Sequence, residues 1–164
     1  RRVLFRSIPR LPIGILTADC APILIFDKQK KMVAAIHAGW KGAYKGIISK
    51  VINFMIKKGC EKKNMIAVIG PCIAQKSYNV KEDFRRKFLK KDKRNKVFFR
   101  KRKNLIYFDL SKYVKLQLKL MKITNLETIN IDTFPKKNNF FSARRSLRLN
   151  HDDYGRNISL IMIN

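Results

Sequence analysis

The chain has 164 residues, 46% of them hydrophobic, which is enough for one domain with a real core and too apolar for a disordered polymer. It carries 38 Lys and Arg against 11 Asp and Glu, a formal net charge of +27, so its field draws polyanions such as phosphate, nucleotides or nucleic acid. No apolar run approaches the ~20 residues that span a bilayer, which excludes a helical membrane protein; no signal peptide is visible, and three cysteines without framework spacing fit a reducing cytoplasm rather than a disulfide scaffold.

Residues 2–7 read like the translated end of a sequencing adapter, so residues 1–7 are expected to be a non-native leader, with 8–164 the C-terminal portion of a single domain. The first predicted strand is 13–16. Cys20 then precedes a second strand at 21–26, a turn follows at 27–31, and a third strand at 32–36 ends on His37. An antiparallel hairpin of the last two strands brings Cys20 and His37 to one end. A thiol and an imidazole placed so can be two zinc ligands, a nucleophile with its base, or two unrelated satisfied side chains.

Gly39 and Gly42 flank Trp40-Lys41 and open a helix predicted over 43–58, with an apolar stripe of Ile47, Ile48, Val51, Ile52, Met55 and Ile56. Backbone amides at the start of such a helix, around Gly39, Lys41 and Gly42, are a candidate anion site. Gly59 stops the helix. A buried strand is predicted at 65–69, and Cys72 follows its Gly-Pro end as pocket wall or packing residue.

A helix is predicted at 81–90, strands at 97–99 and 105–108 around a basic turn, and a helix at 110–121 capped by Asp109 or Ser111. Phenylalanines among the basic residues of this region could form a stacking platform for bases. Phe84 and Phe88, however, stand at i and i+4, the spacing of one buried helix face. A strand is predicted at 126–131 and a last one at 158–163. Between them, Arg144 and Arg145 offer guanidinium groups suited to bidentate phosphate binding, or simply a solvated surface. His151 lies in a polar loop. With no internal repeat and no low-complexity linker, the chain reads as one α+β domain with mixed sheets.

Five segments, TADCAPILIFD, AAIHAGWKGAYKGI, IGPCIAQKSYNV, FFSARR and DYGRNISLI, together resemble the laccase-domain, or polyphenol-oxidase-like, family, whose bacterial members are regarded as purine nucleoside phosphorylases. The resemblance spans roughly residues 9–164. It implies a layered α/β/β/α sandwich. It also implies zinc-dependent phosphorolysis of adenosine, inosine or methylthioadenosine, with phosphate as co-substrate and adenosine deamination as a second reaction. Cys20 and His37 take the positions of two zinc ligands; the family's third, a histidine in a Val-His-Gly-type motif, has no counterpart here. Arg144 or Arg145 and the Gly39–Lys41–Gly42 segment are then candidates for phosphate or ribose, and Ala143 stands where many relatives have Tyr. The family's older name suggests copper, but two histidines in total are too few for a multicopper centre. Two other readings compete: a cysteine hydrolase or deamidase using Cys20 and His37, by analogy with a deamidase of the same fold, and a basic nucleic-acid-binding module.

Overall fold

A computed structural model describes residues 3–151 and 153–164 of the chain. Its centre is a five-stranded mixed sheet built on the expected hairpin. β3 (Ala21–Asp27) and β4 (Met32–Ala38) pair antiparallel from Ala21 opposite Ala38 to Asp27 opposite Met32. β1 (Val3–Arg6), from the stretch expected to be a leader, lies along the outer side of β4, with Val3 opposite Ile36. On the other side β5 (Met65–Ile69) joins β3 antiparallel, and β9 (Asn125–Thr128) joins β5 parallel. A second, two-stranded sheet pairs β2 (Ile13–Thr17) with β10 (Asn157–Ile161). A third holds β6 (Asn79–Val80), β8 (Leu105–Phe108) and β7 (Phe99–Arg102), in that order.

Period-two alternation sends the two faces of the central sheet into two cores. Ile23, Ile25, Ala34, Ile36, Ala67 and Ile69 face α2 (Ile47–Lys57) and α4 (Leu110–Leu120), against Ile48, Ile52, Met55, Val114 and Leu118. Each of these larger side chains contributes about 1.5–3 kcal/mol when fully buried. Val33 and Ala35 point the other way, onto Ile13, Ile15 and Ile163 beneath the β2–β10 pair. Helices, five-stranded sheet and two-stranded sheet therefore stack as α/β/β, and the far side of the small sheet presents exposed Leu16, Ile158 and Leu160.

Several boundaries differ from the sequence expectation for local reasons. The helix expected at 43–58 is two helices, α1 (Trp40–Tyr44) and α2, because Gly46 takes a left-handed φ of 77° that ends one and starts the other. Residues 97–98 lie in a 3-10 segment, Lys93–Phe98, rather than in a strand. β7 instead runs on to Arg102 and turns at Lys103-Asn104, both at positive φ, the geometry of a tight two-residue hairpin. The last helix, α5 (Ala143–Arg148), falls on a segment that carried no helix expectation, and it is capped by Ser142, whose hydroxyl accepts from the Arg145 amide. Asp109 caps α4 as expected, by accepting from the Lys112 amide.

The aromatic residues of the basic region are core or pack against it: Phe88 and Phe98 are buried, Phe84 and Phe99 half-buried. Phe84 and Phe88 on α3 (Glu82–Lys91) stack at 4.8 Å, and Phe88 also meets Phe108 and Tyr113. Phe88 and Phe108 are completely buried, so neither ring is available to a base.

Candidate active site

The site forms where β3 begins and β4 ends. β2 stops at Thr17, and Asp19 turns the chain at φ 80°, a left-handed conformation that Asp tolerates better than most residues. Cys20 then stands one step before β3. Pro22 lies opposite His37 and Ala21 opposite Ala38, so the next rung sets Cys20 opposite Gly39. A Cβ built on Gly39 would come within 2.7 Å of the Cys20 sulfur, so the thiol occupies the space that a side chain at position 39 would need. The hairpin thus brings Cys20 and His37 to the same sheet end, as the spacing predicts.

On the other flank of Cys20 runs the chain that leaves β5. The Gly70 amide donates to the Pro22 carbonyl at 2.9 Å and the Ile73 amide to the Asp19 carbonyl at 3.0 Å. These bonds bring Cys72 alongside. Cys72 is buried, and its thiol is pushed up to about 12, first by burial and then by the nearby carboxylates of Asp109 and Asp132. A buried thiol raised in this way is a poor nucleophile, which favours packing over chemistry for Cys72.

Asp19 does more than turn the chain. Its buried carboxylate accepts from the Thr133 hydroxyl at 2.7 Å, the Ser142 hydroxyl at 2.9 Å and the Arg144 amide at 2.6 Å. It thereby pins the start of α5 to the strand end that bears Cys20. Sequence reasoning passed over Asp19. The available signal was its place beside Cys20 in a chain with few acids; the three donors lie more than a hundred residues away and became visible only in three dimensions. Asp132, likewise buried, has a comparable role, accepting from the Ala74 and Phe134 amides and the Ser77 hydroxyl.

The two expected arginines separate. Arg145 turns into the protein and donates to the carbonyls of Thr133, Phe134 and Phe140. Arg144 donates to the backbone and side-chain oxygens of Asn79 and lies 5.2 Å from the Tyr78 ring centroid. With Cys20, Trp40, Ile73, Tyr78 and Leu110, Arg144 encloses a cavity of about 290 Å³. Burial and the neighbouring Cys20 raise the Tyr78 phenol, against the opposing pull of Arg144, so the hydroxyl stays neutral. Trp40 and Tyr78 are also walls that sequence reasoning did not single out.

The remaining candidates are not among the residues that line this cavity. Gly42 is buried within α1. Lys41 is exposed, with its ammonium 5.6 Å from the Trp40 ring centroid. His151 lies in an exposed loop after α5, its amide donating to the Ser146 carbonyl.

Thiolate sulfur and imidazole nitrogen are donors that zinc favours, so Cys20 and His37 fit as two ligands. Among the described residues, no group of three His, Cys, Asp or Glu could hold a metal ion. A complete three-ligand site therefore needs a donor from outside these residues.

A family model described as multi-copper polyphenol oxidoreductase laccase matches residues 3–164. The chain belongs to that family. It is 40% identical over 150 residues to a purine nucleoside phosphorylase of Rickettsia conorii, covering 90% of this chain and 61% of that protein. It is 30% identical over 144 residues to a purine nucleoside phosphorylase of Haemophilus influenzae, covering 86% and 58%. Among solved structures it is similar to the hypothetical protein YfiH of Bacillus licheniformis, with a TM-score of 0.87, 28% identity, and coverage of 99% of this chain and 61% of that one. The fold is shared too with YlmD from Geobacillus stearothermophilus, at a TM-score of 0.83 and 23% identity, covering 99% and 61%. The chain thus spans about three-fifths of the length of these relatives.

Proposed function

We propose that this chain carries the substrate-binding half of a purine nucleoside phosphorylase. The observation that supports this most is the convergence of Cys20, Trp40, Tyr78 and Arg144 on one cavity, in a chain whose similar relatives bear that name. Trp40 and Tyr78 provide flat apolar surface for a purine, and the neutral phenol adds one hydrogen-bonding group. The Arg144 guanidinium, held by Asn79, is always charged and binds the attacking phosphate. Phosphate oxygen then bonds to C1′ of the ribose as the bond from C1′ to the purine nitrogen breaks. The bonding pair leaves with the base, which takes up a proton, and the products are ribose 1-phosphate and free purine. The site's task is to align the two reactants and shield the cationic sugar from water.

Cys20 and His37 are the two zinc ligands in this reading, completed by a donor beyond the described residues. When bound, zinc supplies a Lewis acid that can polarise an oxygen or acidify water, the chemistry that adenosine deamination would use. The test is phosphorolysis of inosine and adenosine, with and without phosphate, read by chromatography of the products. Phosphate-dependent hypoxanthine and adenine, lost in Cys20→Ala and His37→Ala, is the expected result. Arg144→Ala raises the phosphate concentration needed for half-maximal rate; an unchanged requirement removes that role.

A second reading takes Cys20 as a nucleophile and His37 as its base, and the observation favouring it is their common position at the sheet end. Rapid, stoichiometric alkylation of Cys20 in metal-free protein, with no phosphorolysis, would select it.

A further inference from the structure

The cavity beside Cys20 shares the walls Trp40, Tyr78 and Arg144 with a far larger neighbouring trough of about 1210 Å³. The inner cavity is near the lower end of the usual size for small-molecule sites, and the trough exceeds the upper end. A purine nucleoside seated on the shared aromatic walls would therefore leave the trough empty. Its lining differs in chemistry from the inner cavity. Lys81 and Lys87 come from the start and middle of α3, Lys101, Arg102 and Lys103 from the β7–β8 hairpin, and Arg144 from α5. Two carboxylates also line it, Glu82 and Asp83, and each is already paired with an arginine one turn along its own helix, Arg85 and Arg86. The positive charge is thus not cancelled within the trough.

Lys87, on the trough side, stands against a wall that the two spaces share. Its ammonium lies 5.6 Å from the centroid of Trp40, the ring that lines both. Arg144 stands the same way against Tyr78. A ligand with a flat base on these rings and an anionic group on the far side of its sugar would satisfy the inner and outer surfaces at once.

We propose that the trough is a phosphate-recognising extension of the nucleoside pocket, so that this chain binds nucleoside 5′-phosphates in preference to bare nucleosides. The inference rests on the purine-binding reading of the inner cavity and adds the substrate class. Phosphate recognition here is by several point charges on a hairpin and a helix, so it is graded in charge and weakened by salt.

The test is calorimetric titration of the intact chain with adenosine and with AMP at fixed, near-physiological salt, each with and without inorganic phosphate. AMP is expected to bind about tenfold tighter than adenosine, the effect of one charge-assisted contact of ~1.4 kcal/mol. Lys101→Glu/Arg102→Glu should collapse that ratio, and the neutral Lys101→Gln/Arg102→Gln should reduce it to an intermediate value. Lys57→Glu/Lys58→Glu, the same charge change at the far end of α2, should leave the ratio in place. A thermal melt of each variant separates loss of binding from loss of fold. If adenosine binds and AMP binds no tighter, the extension is wrong while the nucleoside site stands. If the α2 variant loses as much as the hairpin variant, the whole-molecule field accounts for the preference and the extension is again wrong. If inorganic phosphate abolishes the preference at millimolar levels, the trough is a free-phosphate site and the proposal fails. If no purine binds at all, the inner site falls and the inference with it.

Discussion

Gly39→Ala isolates the contact on which the position of the Cys20 thiol depends. Gly39 sits at φ −73° and ψ 166°, extended backbone that alanine adopts without strain. By backbone terms alone the substitution should stabilise the protein by about 0.4–1 kcal/mol, through a less flexible unfolded chain. The added Cβ, however, would stand 2.7 Å from the Cys20 sulfur and 3.7 Å from its Cβ. Comfortable separations between heavy atoms are about 3.5–4.0 Å, so the sulfur must move by roughly 1 Å. Overpacking of this kind costs about 1–3 kcal/mol. The melting temperature should accordingly fall by about 2–4 °C for each kcal/mol in a chain of this size. The decisive experiment is a double-mutant cycle by urea unfolding. In a Cys20→Ala background there is no sulfur to displace, so Gly39→Ala should be neutral or mildly stabilising, with a coupling of at least about 1 kcal/mol between the two sites. An equal cost in both backgrounds, or none in either, would refute the idea that position 39 is glycine to admit the thiol.

Asp19→Asn keeps the size and the tolerance for positive φ but turns an amide toward the hydroxyls of Thr133 and Ser142 and the Arg144 amide; the cost should be about 1–3 kcal/mol in urea unfolding, with weakened nucleoside binding because α5 is no longer pinned. Arg145→Ala should destabilise the chain by about 1–3 kcal/mol, since three carbonyls lose their shared donor, and Arg145→Lys should not restore it because one ammonium cannot span them. Arg144→Ala gives up its bonds to Asn79 and should also lower stability, by about 1 kcal/mol, but unlike Arg145 it faces the cavity and should act on binding as well. Stability should also fall at alkaline pH. Burial raises Cys60 to about 11 and Cys72 to about 12 from an ordinary 9.0, so above pH 9 the unfolded chain releases thiol protons that the folded chain retains. The contribution is complete below that pH and is lost as pH rises toward the folded values; Cys60→Ala should flatten the slope of stability between pH 9 and 11, measured by urea midpoints.

Local patterns were enough for the elements that carry their own chemistry. The apolar runs around the turn at 27–31 predicted β3 and β4, and with them the placing of Cys20 and His37 at one sheet end, because a hairpin converts short sequence separation into spatial proximity. Strand Met65–Ile69, helix Glu82–Lys91 and the Asp109 cap were legible for the same reason: each depends on side chains within one or two turns. The pairing of Phe84 with Phe88 also followed from helical spacing alone.

What depended on distant residues was decided only in three dimensions. The split at Gly46 came from a left-handed glycine where an uninterrupted apolar stripe predicted one helix. The separate duties of Arg144 and Arg145 follow from α5, whose start is held by Asp19, a carboxylate on the far side of the sequence. Adjacent arginines are chemically identical in a linear string. They diverge because successive residues of a helix point about 100° apart, so one guanidinium meets buried carbonyls and the other a cavity. The residues of this chain thus state which groups are capable of chemistry, whereas the burial and hydrogen bonding of the assembled fold select which of them are placed to perform it.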